Sequence, residues 1–399
     1  MPHIAKVEFE ERIAELRKAM QKENLDACFI YGDEYRRENL RYIANIWPIF
    51  ERGAVLIGME GDPVVLGAPE GELLIREMSA FGDIRLVPEF ACVTVPDEIE
   101  YPYAKYTTFR AVFQELRQQS SLRTLGIVGL DAMPKPLFDR IEAATEGAQL
   151  RDANAILVNM RLSKSDGEVQ CLMKAMEIAD LAYTELMRAA KPGVTELELA
   201  GIATGEAMKL GAENVPFCLV TSGERVKTII GRASGKVVED GDMVMAALAV
   251  QYEGYIATFG FPFVVGCMSA EQKQLITWLI GAYERAIGQL KEGEPQCNVV
   301  AAVKKYFREC GISEYDLYPP LHGCGLSEAE SPYPNESVTR PFAKNMTVNT
   351  DISVFGHPYG SNRIETGFVV TEEGCVSPSK LFKKLIAAWK EGKSYTEVL

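Results

Sequence analysis

The sequence predicts two domains, an α/β unit followed by an α+β unit, and three observations predict it. The chain has 399 residues, more than one hydrophobic core ordinarily organises. Up to about residue 155, short apolar runs alternate with stretches of helical period, the pattern of strands joined by helices. Beyond that point the order changes to two helices, a β-rich stretch, two more helices and a closing run of strands and loops.

In the first domain, Val7, Ile13, Leu16, Met20 and Leu25 recur among charged neighbours and predict an amphipathic helix over 7–24. Residues 26–31 read as a buried strand. Ala54–Gly58 and Pro63–Leu66 flank the turn Glu60-Gly61-Asp62 and read as a hairpin. A helix near 70–80, a strand at 84–87, a helix over 107–119, a strand at 125–129 and a helix near 135–145 complete the unit. The second domain opens with a long helix. Ser165 and Glu168 have capping spacing, and Val169, Leu172, Met173, Met176, Leu181 and Leu186 mark one face. Lys191-Pro192-Gly193 stops it, and Thr195 caps the next helix. Strands follow within 242–265, helices over 270–290 and 297–310, and a last helix from Pro378 to Glu391.

Asp and Glu outnumber Lys and Arg by 56 to 42. An acidic surface repels phosphate backbones and anionic headgroups, so neither nucleic acid nor membrane is an expected partner. The amino-terminal stretch lacks the apolar centre of a secretory signal, and no apolar run has the length of a transmembrane helix. Nine scattered cysteines without a CxxC pair read as reduced thiols, so a cytoplasmic protein is expected.

Five segments of the second half stand in a telling order. They are Met160–Glu168 with the helix after it, Ala190–Glu196, Gly241–Met245 followed by Gly254-Tyr255, His322-Gly-Cys-Gly325 followed by Pro332, and Asn362-Arg-Ile-Glu365 followed by Val369–Glu372. With Asn39-Leu-Arg-Tyr-Ile43 in the first half, they resemble the creatinase, prolidase and aminopeptidase P family across nearly the whole chain. The resemblance implies an α/β creatinase-type domain over 1–157 and an α+β pita-bread domain over 158–399. It also implies a homodimer in which one subunit's first domain lines the other's site, with Tyr42–Phe50 as the lining segment.

Working members of that family hold two metal ions with two aspartates, one histidine and two glutamates. The resemblance puts Ala247 and Thr258 at the aspartate positions, His322 at the histidine, and Asp351 and Glu365 at the glutamates. Two ions a few ångström apart need bridging carboxylates to offset their repulsion, and a methyl group or a lone hydroxyl supplies none. No cofactor is therefore expected. If one Mn, Zn or Fe ion does bind, the resemblance makes His322, Asp351 and Glu365 its ligands. The family's substrate-touching histidines fall on Ile230 and Ala329, which leaves His322 as the one imidazole at a family position.

Three readings follow. The foremost is a creatinase-like hydrolase or lyase that acts without metal on a C–N bond of a small polar metabolite. In it His322 is the general acid/base, and Asp351 and Glu365 orient it or bind a cationic group. Thr258, Arg232 and Arg363 bind substrate, the arginines because a guanidinium fork suits a carboxylate. The second reading is an Xaa-Pro dipeptidase or aminopeptidase that uses one divalent ion on dipeptides. The third is a non-catalytic peptide-binding module, which the compact layout without charged tails disfavours. Cys324, close to His322 in sequence, also raises a Cys–His nucleophile. Each residue has a plainer reading beside these: a leftover imidazole, a solvated strand face, a surface ion pair, a small buried thiol.

Overall fold

The computed structural model describes residues 1–91 and 104–399, so Cys92 lies outside the described residues. Its contacts divide the chain into two compact units, Ile4–Arg161 and Leu162–Leu399, with Met1–His3 joining the second.

The first unit has strands β1 (Ala27–Asp33), β2 (Arg52–Gly58), β3 (Val64–Gly67), β4 (Ile84–Leu86), β5 (Thr124–Val128) and β6 (Gln149–Asp152), in the sheet order β4-β3-β2-β1-β5-β6. β1 is antiparallel to β2 but parallel to β5, so helices carry the chain back across the sheet. They are α1 (Lys6–Lys22), α2 (Glu38–Ala44), α3 (Glu72–Met78), α4 (Phe109–Gln119), α5 (Lys135–Ala144) and α6 (Asn154–Met160). Phe29, Phe90, Phe109 and Phe113 form the aromatic heart of this core, with ring centroids 5.5 to 6.2 Å apart. The sequence pattern passes over α2, α6 and β6. The two helices have seven residues each, too few for a 3.6-residue period to declare itself, and β6 is polar and largely exposed.

The second unit repeats one succession twice. Helices α7 (Asp166–Ala189) and α8 (Glu196–Lys209) precede strand β7 (Asn214–Ser222) and the hairpin β8 (Met243–Tyr252) and β9 (Tyr255–Gly260), then the short β10 (Phe263–Val264). Helices α9 (Ala270–Ile287) and α10 (Gln296–Cys310) precede β11 (Leu321–Gly323) and the hairpin β12 (Thr347–His357) and β13 (Gly360–Val370). β14 (Cys375–Val376) and α11 (Lys380–Lys390) close the chain. The path through the sheet is β10-β8-β9-β13-β12-β11, with β7 on β8 and β14 on β13. The expected capping boxes form: Ser165 with Glu168, and Thr195 with Glu198. α7 packs against β8 and β9, and α9 against β12 and β13.

Candidate functional site

Strand register brings most of the sequence candidates together. On β12 and β13, Asp351 stands opposite Glu365 and Ser353 opposite Arg363. His322 of β11 is opposite Asn349. Gly260 of β9 is opposite both Glu365 and Ala247, and Thr258 is opposite Ala249. Opposed residues, and alternate residues along a strand, share a face. Ala247, Thr258, Glu365, Arg363, Asp351 and His322 therefore line one face across adjacent strands. Gly260 is needed there, because a Cβ would lie 3.3 Å from Glu365 Cβ and 3.1 Å from the Ala246 carbonyl oxygen.

His322 Nδ1 lies 2.9 Å from the carbonyl oxygen of Gly323. A carbonyl only accepts, so Nδ1 carries the proton and Nε2 presents its lone pair. That nitrogen is 3.6 Å from Oε1 of Glu328, and the same oxygen accepts from the Thr258 hydroxyl at 3.4 Å. Glu365 is 2 % exposed. Its Oε1 accepts from Asn349 Nδ2 at 2.9 Å, while its buried Oε2 has no hydrogen-bond partner among the described residues. Burial raises the Glu365 carboxyl well above the usual glutamate range, the Asp351 and Glu328 carboxylates push the same way, and Arg363 opposes them.

Asp351 faces elsewhere. Its Oδ1 lies 3.5 Å from Arg363 Nη1, and the Tyr318 hydroxyl donates a long hydrogen bond to it at 3.5 Å. Burial raises this carboxyl too, with Arg363 and then His322 pulling it back. Arg363 Nη1 is 3.9 Å from Glu365 Oε2, and Nη2 donates to the Ile229 carbonyl.

The ligand-type atoms of His322, Glu328 and Glu365 all lie within 4.8 Å of one another. This corrects the expected trio. Asp351, one methylene shorter than a glutamate, is turned to Arg363 and Tyr318, and Glu328 stands in its place. Thr258 reaches the cluster through Glu328. Arg232 is exposed, and its contacts here are backbone ones, a bridge to Leu219 and a carbonyl that accepts from Arg225. Ile230 is 76 % exposed, Ala329 is exposed, and neither can move a proton. Burial pushes the Cys324 thiol up to about 12, which removes it as a nucleophile at neutral pH.

The glycines beside His322 serve the chain's own return. A Cβ on Gly323 would overlap the backbone of Glu330 and Ser331, and one on Gly325 would overlap the Glu330 carboxylate. The loop after β11 thus folds back on the strand, held by the Glu330 N–H donating to the Gly323 carbonyl at 2.9 Å. An ion pair of Lys164 with Glu330 at 2.7 Å adds to this, the two side chains 1 % and 9 % exposed. That closure puts Glu328 against His322.

An imidazole lone pair and two carboxylates that face one another repel until a proton on Glu365 or a cation between them relieves the repulsion. One nitrogen and two oxygen donors suit a single divalent ion, and Glu365 Oε2, without a hydrogen bond among the described residues, is open to it. The residues present therefore fit one ion, and the expectation of no cofactor is not carried forward.

Fold and site together define a two-domain hydrolase whose polar cluster lies across the sheet of its second domain. Residues 12–163 match the description Creatinase/Prolidase N-terminal domain, and residues 170–372 match Metallopeptidase family M24. The chain belongs to metallopeptidase family M24, the family of creatinase, prolidase and aminopeptidase P. It is 24 % identical over 377 residues to an Xaa-Pro dipeptidase of Pyrococcus furiosus, which spans 94 % of this chain and 99 % of that one. Among solved structures, an Xaa-Pro dipeptidase from Bacillus anthracis is similar with a TM-score of 0.80 at 24 % identity, covering 93 % of this chain and 98 % of that chain. The X-Pro aminopeptidase of Thermotoga maritima is similar with a TM-score of 0.79 at 24 % identity, covering 92 % and 97 %. These likenesses show the creatinase-type and pita-bread folds expected from the sequence. No helix among the described residues is long and apolar enough to cross a membrane.

Proposed function

We propose that the chain is an Xaa-Pro dipeptidase or aminopeptidase working with one divalent ion held by His322, Glu328 and Glu365. The observation that carries this is the convergence of three ligand groups within 4.8 Å, with no hydrogen bond to Glu365 Oε2 among the described residues. Near full-length likeness to an Xaa-Pro dipeptidase supports the substrate class, a dipeptide with proline second. The second of the three sequence readings thus moves ahead of the first.

The ion, when bound, would polarise the scissile carbonyl and acidify a water molecule. The chain's own groups prepare the rest. Asn349 fixes one Glu365 oxygen and leaves the other aimed into the cluster. The Gly323 carbonyl fixes the His322 tautomer, as outer partners of ligating histidines do. Thr258 steadies Glu328, whose side chain is 26 % exposed against 3 % for Glu365. Glu328 is therefore the carboxylate placed to take up a proton from an approaching water. Arg363 is committed to internal carboxylates and is not the substrate clamp that its fork suggested.

The test uses the chain stripped of metal by a chelator and reloaded with manganese. Lewis-acid assistance supplies several kcal/mol, so release of proline from Xaa-Pro dipeptides is expected to rise at least about 10²-fold on reloading. Silence with manganese, zinc and iron overturns the reading. A metal-free C–N hydrolase or lyase remains the second reading. It is favoured by Ala247 and Thr258, which bring no carboxylate, and by a Glu365 carboxyl that burial holds toward its protonated form. Turnover of small amides or guanidino compounds that ignores the chelator would favour it.

We also propose a cytoplasmic homodimer. Tyr35 and Phe50 are 81 % and 64 % exposed on the first domain, an apolar surface that a second copy would cover. Glu34 ties their segments together, accepting from Trp47 Nε1 and from the Phe50 N–H. Light scattering at micromolar concentration is expected to give the mass of two chains, and a monomer refutes the assembly.

A further inference from the structure

We infer that Tyr318 is a further catalytic residue, the hydrogen-bond donor to the scissile carbonyl oxygen as that oxygen gains negative charge. The inference rests on the peptidase reading above and deepens it. The Asp351 N–H donates to the Pro320 carbonyl at 2.9 Å, so the pairing of β11 with β12 continues beyond the start of β11. Leu321 is opposite Thr350 and His322 opposite Asn349, and the same register sets Pro320 against Asp351 and Tyr318 against Ser353. Ser353 is in turn opposite Arg363. Opposed and alternate residues share a face, so Tyr318 joins the face that carries His322, Asp351, Arg363 and Glu365. The approach of its hydroxyl to Asp351 Oδ1, at 3.5 Å, agrees with that placement.

The phenol is the least committed donor on this face. The Thr258 hydroxyl is spent on Glu328, Asn349 Nδ2 on Glu365, and His322 Nδ1 on the Gly323 carbonyl. Arg363 lies against Asp351 and Glu365 and donates to the Ile229 carbonyl. By contrast the Tyr318 bond to Asp351 is too long to be strong. Ser353 beside it is 1 % exposed and out of a substrate's reach, whereas Tyr318 is half-buried. Burial and then the Asp351 carboxylate raise the phenol above its ordinary 10, with Arg363 opposing, so the O–H keeps its proton at any working pH. Such a neutral donor can turn from Asp351 to a growing oxyanion while Asp351 keeps its guanidinium neighbour. Ile230 and Ala329, at the places where the resemblance puts substrate-touching histidines, carry no side-chain donor, and Tyr318 fills the role they leave open.

The experiment compares the manganese-loaded wild type with Tyr318→Phe on an Xaa-Pro dipeptide. Phenylalanine keeps the ring and loses only the hydroxyl, so the fold is retained. Loss of one oxyanion donor is expected to lower kcat by about 10²-fold. KM, and manganese affinity by calorimetric titration, should stay within about threefold, because the hydroxyl acts on the transition state and not on the ion. Binding gives a second readout. A phosphinic analogue of the dipeptide carries a charged tetrahedral oxygen in place of the carbonyl oxygen, and Tyr318→Phe should bind it about 10²-fold more weakly by calorimetry. A kcat within about threefold of wild type overturns the role of Tyr318 and leaves the single-ion reading standing. A raised KM at unchanged kcat overturns it as well, by making the hydroxyl a plain binding group. Manganese uptake lost in Tyr318→Phe overturns it by making the residue a prop of the ion site. A wild type silent with manganese overturns the peptidase reading and this inference together.

Discussion

Glu365→Gln is expected to abolish manganese uptake and turnover while making the metal-free protein more stable. The two effects have one origin. Glu365 lies almost wholly out of water, with one oxygen on Asn349 and the other without a hydrogen bond among the described residues. Arg363, 3.9 Å from Oε2, only partly offsets its charged form, which a divalent ion in the site would stabilise further. Burial and the neighbouring Asp351 and Glu328 carboxylates raise its folded pKa well above its ordinary 4.5. For an acid shifted in that direction, the fold retains its stability below the unfolded pKa. That stability is lost as pH rises through the folded pKa, because the native state then holds more protons than the unfolded chain. Each unit of such a shift is worth about 1.4 kcal/mol. A glutamine keeps a carbonyl to accept from Asn349 but can never charge. Melts of stripped wild type are therefore expected to fall as pH rises from about 5 to 8, and those of the variant to fall less. Asp351 is shifted with the same sign, so the variant retains part of the slope. Turnover with manganese should drop by at least about 10²-fold, since a ligand and its charge are lost together. A stripped variant less stable than stripped wild type at neutral pH would show that Glu365 is paired rather than stranded.

What the sequence made legible follows from the range of the interactions concerned. Capping boxes act over three residues, so Ser165–Glu168 and Thr195–Glu198 place the starts of α7 and α8 without tertiary knowledge. Alternation along β12 and β13 puts Asp351, Arg363 and Glu365 on one face, and the family-like glycine pattern isolates His322. The failures lie where a side chain's direction depends on a distant partner. Asp351 and Glu365 stand opposite each other in register, yet Asp351 turns to Arg363 and Tyr318. Nothing local distinguishes the two acids. Glu328 sits in an irregular loop whose path is set by Lys164, which is remote in sequence, and by the close approach that Gly323 permits. Its one trace was an acidic residue beside Ala329, the position where a histidine had been sought. Tyr318 left no signal, since a tyrosine before two prolines reads as loop. Arg232 had the right chemistry and lies exposed, because the β-bridge to Leu219 constrains its backbone and not its side chain.

His322→Gln tests the site from its nitrogen side and has the larger expected cost. The chain has three histidines, and His322 alone presents a ring nitrogen to the carboxylate cluster. Its Nδ1 proton is held by the Gly323 carbonyl, so Nε2 is the atom on offer. A glutamine has nearly the same reach but an amide in place of the imidazole lone pair, a far weaker ligand and no base. Loss of ligation and of proton transfer together should lower turnover by about 10²–10⁴-fold. Manganese uptake at micromolar metal should fall well below one ion per chain, while circular dichroism stays unchanged. His357→Gln provides the contrast. That ring sits in a separate aromatic box, with centroids 5.1 Å from Trp278 and 4.7 Å from both Tyr315 and Tyr359, and its Nδ1 accepts the Tyr359 N–H. Its replacement should cost about 1 kcal/mol of stability through lost ring contacts and leave turnover within about twofold. His3 is exposed at the amino terminus, and His3→Gln should change neither quantity. Turnover and metal content must be read on the same His322→Gln sample, because the two readings separate there. Lost turnover with lost metal assigns His322 to the ion. Lost turnover with full manganese occupancy assigns it to proton transfer alone and moves the ion elsewhere. Near-normal turnover removes His322 from the chemistry altogether, and with it the site built around Glu328 and Glu365.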